Sequence, residues 1–543
     1  MPDDFTPEER AILARHFSNV DGPVFALTAL PDTVKGALFS RYSRSPKALR
    51  RLFLDEFYQE ELAAGAATAS SDTALGLGRA EELYERVLVE YGDDSVAQLV
   101  GAHVAIEDAS NVLTKVVEWG RLMAYLEQST RYIPYSTLRD GRWRYHTPRE
   151  VIDAGLRERF EASMDACFET YAALFDRTEA HLRERFPRGE LDTKTAYRLS
   201  IRAKACDVLR GLLPAATTAN IGLYGSAQAF EQLLLRLQGH PLAEARETGE
   251  RVLAELRKVI PVFMRRIDRE DRGLAWSRYI HETAPATGEQ VAATIPPDFL
   301  SARDGGDSGA YVRLTEFDAD ADAKVVAAAI YPHADVSDED ALRIARGMSE
   351  EQRAAVLRAY VGERTNRRHK PGRAFERVSY RFDIVVDYGA FRDLQRHRML
   401  TLDWQPLSPR LGYEVPEEVV AIGAEDDFRR IMSECAALYD ELRAASVNAL
   451  AAQYAVPMAY RIRFYMQMNA REAMHLIELR SAPQGHRSYR RVAQEMLREI
   501  RDRAGHAAIA DAMIFADMSD APDRLERIAA ENAKAARLAA FDS

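Results

Sequence analysis

Three adjacent basic residues, Arg396-His397-Arg398, follow a segment with helical spacing in the stretch RDLQRHRMLTLDWQPLSPRLGY. Like charges in a row repel one another, and a core helix has no need of them. They are therefore either solvated at a basic turn or they hold an anion. Arginine forks bind phosphates bidentately, and a histidine between them can stack on a ring or hydrogen-bond to it. Ser408-Pro409-Arg410 follow in a predicted loop, with nine residues between Arg398 and Ser408.

A second group of polar side chains lies on the predicted helix NAREAMHLIELR, which carries Asn469, Arg471, His475 and Arg480. Asn469 and Arg480 are eleven residues apart, which is about three helical turns, so they share one face. His475 lies off that face and is equally typical of a core histidine. Arg471 is also consistent with an exposed helix surface.

The segment LEQSTRYIPY places Glu127, Ser129 and Arg131 at alternating positions. An extended loop would present all three on one side. Glutamate and serine can hydrogen-bond to the edge of a base or ribose, and the arginine can hold a phosphate. The alternative interpretation is a polar hairpin turn.

Composition limits the class of protein. The 543 residues exceed one compact core, and the net charge of −11 argues against nonspecific nucleic-acid or membrane binding. The three cysteines are far apart, which favours neither a disulfide framework nor a cysteine zinc site and fits a reducing cytosol. The acidic N-terminus does not resemble a signal peptide, and no apolar run approaches a membrane span. We therefore expect a soluble, cytoplasmic protein.

The chain repeats the same order of features on either side of a linker-like stretch. Both halves contain a strand-like segment that passes into a helix and a Ser-x-Arg loop, and later a Pro-to-helix segment that ends in Leu-Arg and then Gln-Gly-His. Similar helix-rich composition could produce part of this likeness, but the shared order favours duplication. We predict domains at 1–283 and 311–543, joined by a linker at 284–310.

Other signals of chemistry are missing from the sequence. No Walker loop, dinucleotide-binding glycine pattern, zinc-protease motif or nucleophile elbow is present. The run Asp318–Asp322 resembles the start of a calcium loop, but Ala323 stands where the turn glycine belongs. We predict neither a metal site nor a catalytic side chain.

These motifs resemble the flavin-dependent thymidylate synthase family. The family signature is Arg-His-Arg, seven residues and a serine, with a glutamate two residues before the serine and Arg-Tyr after it. Arg396-His397-Arg398 matches the first part, and EQSTRY at 127–132 matches the nucleotide loop. Arg210-Gly-Leu-Leu-Pro214 matches a later Arg-x-x-Leu-Pro segment. The resemblance covers most of both halves, in order.

The resemblance implies a helix-rich α+β fold, with two tandem copies of a domain that has a small sheet and long helices. It implies methylation of dUMP to dTMP with FAD as cofactor and with methylenetetrahydrofolate and NADPH as co-substrates. The chemistry would be borne by the cofactor, and a homodimer would rebuild the family's four-domain assembly. The implied flavin contacts are Glu376, Arg396, His397, Arg398, Asn469, Arg471 and His475. The implied nucleotide contacts are Glu127, Ser129, Arg131, Arg210, Arg236, Ser408, Arg410 and Arg480.

The two halves depart from the family pattern in complementary ways. The first half has Trp119-Gly120-Arg121 in place of Arg-His-Arg, and Gly225 and Ala227 where the family has Asn and Arg. The second half has two extra residues before Ser408, and Asp393 and Gln453 where the family has Gln and Arg. The second half thus keeps the flavin-like residues, and the first half keeps the nucleotide-like loop. These losses leave two alternatives: a non-catalytic or regulatory descendant, or a flavin enzyme for another nucleotide.

Overall fold

The computed structural model describes residues 5–58, 96–190, 192–296 and 310–520, together with residues 525 and 528. Helices dominate this part of the chain. No helix within it is long and apolar enough to cross a lipid bilayer. The chain divides into two compact units that alternate along the sequence. The first unit takes residues 1–107, 120–127 and 220–295, and the second takes 108–119, 128–219 and 296–543.

The α-helices are numbered in chain order. They are α1 (Pro7–His16), α2 (Asp32–Tyr42), α3 (Leu49–Leu52), α4 (Asn111–Val117), α5 (Arg149–Asp153), α6 (Arg157–Arg185), α7 (Lys194–Leu209), α8 (Ala227–Gln238), α9 (Ala243–Val259), α10 (Pro261–Met264), α11 (Gly273–Thr294), α12 (Ala321–Ile330), α13 (Asp338–Gly347), α14 (Glu350–Val361), α15 (Tyr388–Leu394), α16 (Glu417–Ala421), α17 (Glu425–Ala444), α18 (Ala449–Ala452), α19 (Ala470–Arg480), α20 (Arg487–Arg498) and α21 (Ala507–Asp511).

Within the described residues, seven strands form two small sheets. The strands are β1 (Gly101–Ser110), β2 (Met123–Glu127), β3 (Thr218–Ser226), β4 (Tyr311–Phe317), β5 (Ser379–Asp387), β6 (Thr401–Trp404) and β7 (Arg461–Asn469). The first sheet has the order β1-β3-β2, and the second has the order β4-β5-β7-β6. The β2–β3 pair and all three pairs of the second sheet are antiparallel.

The two sheets repeat one pattern, because β1-β3-β2 corresponds to β5-β7-β6. Each strand that leads into a helix ends in a capping residue whose side chain accepts a backbone N–H of the first turn. Ser110 caps α4 and Asp387 caps α15, while Ser226 caps α8 and Asn469 caps α19. Capping residues at equivalent positions therefore begin the corresponding helices of both copies.

The positions of these capping residues correct one detail of the alignment between the first half of the chain and the family pattern. Strands β3 and β7 both have nine residues, so Ser226, and not Gly225, stands at the position of Asn469. Gln228, and not Ala227, therefore stands at the position of Arg471. A one-residue error arises easily when short motifs are aligned across a poorly matched strand.

The second unit contains a pseudo-two-fold pairing between equivalent segments of the two copies. Pro214 and Pro457 form an antiparallel bridge at the centre of this pairing. On one side, the Ala215 N–H donates to the Val456 carbonyl at 2.9 Å; on the other, the Met458 N–H donates to the Leu213 carbonyl at 2.9 Å. Such reciprocal bonds are the geometry of two copies related by a two-fold axis.

Two cysteines at equivalent positions meet in the same unit. Cys167 lies on α6 and Cys435 lies on α17, and their Sγ atoms are 3.4 Å apart. Both thiols are free and fully buried, and burial together with their mutual contact raises the pKa of Cys167. Long helices of both copies thus pack side by side in one core.

The predicted linker at 284–310 is described only in part. Helix α11 runs through residues 284–294, and the side chains in that part of the helix are exposed. Residues 297–309 lie outside the described residues. The boundaries at 283 and 311 stay a prediction.

A buried ion pair connects three segments of the second unit. Arg364 donates to both oxygens of Glu478, at 2.6 and 2.7 Å, and the two side chains are 1% and 0% exposed. Arg364 also donates to the Ala512 carbonyl at 2.6 Å, and Glu478 accepts the Phe515 N–H at 3.3 Å. The pair therefore fastens the loop that follows Arg364 and the 512–515 segment to α19.

We expect removal of one partner of this pair to be strongly destabilising. Arg364→Met or Glu478→Met alone leaves a buried, uncompensated charge and should cost about 3–5 kcal/mol. The double variant R364M/E478M should cost much less than the sum of the two, because no buried charge remains. Urea unfolding followed by circular dichroism measures all three, and strict additivity would contradict this account. Arg343→Ala, on the exposed face of α13, is the control and should shift stability by under about 0.5 kcal/mol.

Candidate functional site

The Arg-His-Arg segment lies directly after α15, at the end of a strand-to-helix unit. Strand β5 buries Tyr380, Phe382 and Ile384 at alternating positions, which fixes its inward face. The helix that follows is short, so its C-terminal residues reach the edge of the sheet. His397 is buried there, whereas Arg396 and Arg398 are exposed.

His397 is held by hydrogen bonds at both ring nitrogens. The Arg480 Nε–H donates to His397 Nε2 at 3.1 Å, so Nε2 carries no proton. The proton is therefore on Nδ1, which donates to Glu472 Oε1 at 3.0 Å. Burial, together with the charges of Arg480 and Lys370, lowers the pKa of His397 to about 3. The ring is neutral at physiological pH and its orientation is fixed.

Helix α19 supplies the other side chains of this cluster. Asn469 caps the helix by accepting the Glu472 N–H at 2.9 Å. Arg471 donates to the Pro371 carbonyl at 2.9 Å and lies 3.8 Å from Glu376 Oε1. The His475 ring lies beside the His397 ring, with ring centroids 5.4 Å apart and ring planes tilted by 60°. The structure thus brings together the residues that the sequence assigned to the flavin.

A basic loop at residues 364–372 also approaches this cluster, and sequence reasoning missed it. Burial lowers the pKa of Lys370, and the charges of Arg471 and Arg367 add to that effect. Burial likewise lowers the pKa of His475 to about 4, with Lys370 and Arg367 contributing. The run RTNRRHK was the available signal, but its place beside α19 depends on contacts distant in sequence, namely the Arg364–Glu478 pair and the hydrogen bond from Arg471 to the Pro371 carbonyl.

Two polar groups of the cluster have no partner among the described residues. Arg398 makes no hydrogen bond or ion pair there, and buried Nδ1 of His475 has no hydrogen-bond partner. Cations outnumber carboxylates around them, since Arg396, Arg398, Arg471 and Lys370 face Glu376 and Glu472. The local charge therefore suits an anionic ligand.

The same cluster contains a possible metal-ligand set, His397, Glu472 and His475, whose donor atoms lie within 4.8 Å of one another. Two imidazoles and a carboxylate can bind a transition metal. However, both ring nitrogens of His397 are engaged, one of them by a guanidinium, and the neighbouring cations oppose a further positive charge. The donor set favours an anion over a divalent cation.

A second group of charges is centred on Arg131. Its Nε and Nη2 donate to the two oxygens of Asp207, at 2.8 and 3.2 Å, and Nη1 donates to Tyr489 Oη at 3.0 Å. Burial alone would raise the pKa of Asp207, but Arg131 and Arg210 hold it well below its usual range. Sequence reasoning did not single out Asp207, because nothing local distinguishes it from other acidic residues of α7.

Arg210 lies between two buried carboxylates. Its Nε is 3.6 Å from Asp207 and its Nη1 is 3.6 Å from Asp393, while buried Nη2 has no hydrogen-bond partner among the described residues. Gly389 permits this approach, because a Cβ there would lie 3.0 Å from Arg210 Nε. Arg480 lies 3.9 Å from Asp393 and 5.5 Å from the Tyr489 ring centroid, so it connects this group to His397.

These charges line a cavity of about 1520 Å³ within the second unit. Arg131, Asp207 and Arg210 form part of its wall, and the loop from Gln484 to Ser488 forms another part. Such a volume exceeds that of an ordinary small-molecule pocket. The cavity can hold a nucleotide together with a second molecule.

The remaining predicted nucleotide residues have different positions. The Ser129 Oγ accepts the Arg131 N–H at 3.2 Å, so it shapes the loop that presents Arg131. Ser408 precedes a short turn at Pro409–Leu411 and Arg410 is exposed; neither lines the cavity. Glu127, at the end of β2, and Arg236, on α8, are buried in the first unit.

Comparison with known proteins agrees with the duplicated architecture. The family described as thymidylate synthase complementing protein matches residues 49–262 and again residues 313–504. A protein named UPF0159 protein from Chlamydia muridarum is 37% identical over 526 residues, which cover 95% of this chain and 96% of that protein.

Two further relatives also carry the name UPF0159 protein. The one from Chlamydia pneumoniae is 37% identical and covers 92% of this chain and 93% of its own length. The one from Thermoplasma acidophilum is 31% identical and covers 92% of this chain and 97% of its own length. The double match and the two structural copies show that the chain belongs, as a duplicated and divergent member, to the thymidylate synthase complementing protein family, the flavin-dependent thymidylate synthases.

Proposed function

We propose that this chain is a flavin-dependent thymidylate synthase-like methyltransferase. It converts dUMP to dTMP, with methylenetetrahydrofolate as carbon donor, FAD as cofactor and NADPH as reductant. The observation that carries the proposal is the excess of cations around His397. Arg480 and Lys370 act on a neutral, fixed imidazole, Arg396 and Arg398 flank it in the sequence, and Arg398 has no partner among the described residues.

This donor set fits the flavin cofactor. A dinucleotide carries a pyrophosphate anion, which arginine forks bind bidentately. Arg396 and Arg398 would hold that anion, with Asn469 and Arg471 at the start of α19. Glu376, which lies 3.8 Å from Arg471, would contact the flavin as a hydrogen-bond acceptor. When bound, the flavin supplies the hydride chemistry that no side chain of this chain can provide.

The side chains of the second unit then bind the flavin and the nucleotide, orient their rings and exclude water from them. His397 keeps its proton on Nδ1 because Arg480 occupies Nε2, so it presents one fixed tautomer. Arg210 lines the cavity and its buried Nη2 has no hydrogen-bond partner among the described residues, so it offers a donor to a phosphate or a carbonyl oxygen. Preorganised donors of this kind lower the cost of orienting two ring systems.

For the nucleotide, we assign Arg131 and Arg210, which line the cavity, and Arg480, which lies 3.9 Å from Asp393 beside them. Ser129 acts by shaping the loop that carries Arg131. Glu127, Arg236, Ser408 and Arg410 stay predictions of the family resemblance, since none of them lines this cavity. The protein is proposed to act in the cytoplasm as a homodimer that rebuilds a four-domain assembly.

One observation favours a second candidate, a flavin protein for another ligand or a regulatory descendant. Asp207 already occupies the Arg131 fork through two hydrogen bonds. A phosphate would have to displace this carboxylate or share the arginine with it. A ligand that lacks a phosphate would meet no such competition.

We expect Arg396→Ala/Arg398→Ala to weaken FAD binding by about 100-fold or more. Each lost charge-assisted hydrogen bond contributes about 1.5–3 kcal/mol, and tenfold in affinity corresponds to about 1.4 kcal/mol. Both side chains are exposed, so the fold should survive their loss, but the charge of Arg396 helps to lower the pKa of buried Asp393 and its removal should slightly lower thermal stability. Flavin fluorescence titration measures the affinity, with Arg343→Ala, which removes an exposed arginine of α13, as the control. Unchanged FAD affinity in the double variant would disprove the site.

We also expect the chain to restore growth of a host that lacks thymidylate synthase, without added thymidine. The purified protein should bind dUMP more tightly than deoxyuridine, because Arg131 and Arg210 favour a phosphate. Calorimetry with both ligands provides the measurement, and Arg210→Ala should remove the difference. Failed rescue with FAD bound, and no preference for dUMP, would favour the second candidate.

A further inference from the structure

The first copy can be compared with the second position by position, because equivalent backbone bonds fix the register. The Ala227 N–H donates to the Val100 carbonyl at 2.7 Å, and the Ala470 N–H donates to the Val378 carbonyl at 2.8 Å. Val100 therefore corresponds to Val378. Two residues earlier in each copy, Gln98 stands at the position of Glu376. Along the helices, Gln228, Ala229 and Gln232 stand at the positions of Arg471, Glu472 and His475.

The position of His397 in the first copy is Gly120, and its surroundings leave no room for an imidazole. The Tyr125 Oη donates to the Gly120 carbonyl at 3.0 Å. A Cβ on Gly120 would lie 2.7 Å from Tyr125 Oη and 3.3 Å from Arg236 Nη2. The phenol end of a rigid ring and a buried guanidinium thus fill the place where the second copy holds His397.

The charges of the second copy are also missing in the first. Trp119 stands at the position of Arg396, and Gln228 stands at the position of Arg471. The first copy therefore lacks two of the cations that are proposed to hold the pyrophosphate. Arg121 remains at the position of Arg398 and is exposed. Arg121 lacks the neighbouring cations that stand beside Arg398 in the second copy, and a single arginine binds a pyrophosphate more weakly than several arginines together.

We propose that only the second copy forms a flavin site, so that each chain binds one flavin, although it carries two copies of the domain. This inference rests on the proposed function, because it takes the His397 cluster as the flavin site. The first copy then contributes scaffold and nucleotide contacts such as Arg131 and Arg210, but the position that corresponds to His397 binds no dinucleotide.

Binding stoichiometry of the full-length chain tests this inference directly. Flavin-free protein is titrated with FAD to saturation by calorimetry, and the flavin absorbance is compared with protein content after desalting. One FAD per chain is the expected result. Two FAD per chain would overturn the inference and leave the proposed function standing. No FAD binding at all would overturn the proposed function, and this inference with it.

A matched pair of variants separates the two copies. Arg398→Ala should weaken FAD binding by about tenfold or more, which is the loss of one charge-assisted hydrogen bond. Arg121→Ala, at the equivalent position of the first copy, should leave both the affinity and the stoichiometry unchanged. Equal losses in the two variants would mean that both copies hold flavin, and the inference would be wrong.

Discussion

The second unit depends on the antiparallel pairing of residues 211–216 with residues 454–459. This pairing joins equivalent segments of the two copies by reciprocal backbone hydrogen bonds in a dry interior, where each bond is strong and an unmade one is costly. It brings Arg210, from the first copy, within 3.6 Å of Asp393, from the second. The unit is therefore built from both copies, and neither half of the sequence contains it alone.

That shared core explains how one copy could lose site residues without loss of the fold. The packing depends on the backbone pairing and on long buried helices such as α6 and α17. The positions of the polar residues after α15 and on α19 depend instead on the residues that cap those two helices. In the first copy the caps remain, as Ser110 and Ser226 show, while the charges beyond them have changed. Scaffold and site are thus specified by different residues.

The sequence predicted the helix-rich α+β class and the tandem duplication, and both are confirmed. It also grouped Arg396–Arg398 with Asn469 and His475, because each of these motifs is short and local. It could not find Asp207 or the loop at 364–372, since their roles arise from contacts with Arg131 and Glu478 that are distant in sequence. Nor could it show that the compact units alternate along the chain, because hydrophobic periodicity carries no information on which elements pair.

The contact between Cys167 and Cys435 has a consequence for how such a protein can change. In a symmetric homodimer, a residue on the two-fold axis meets its own copy, so every substitution there is made twice and its volume change is doubled. In one fused chain the two positions are encoded separately, so a larger side chain on α6 can be balanced by a smaller one on α17. Fusion thereby turns a self-complementary interface into an ordinary core, in which the two sides are free to become different.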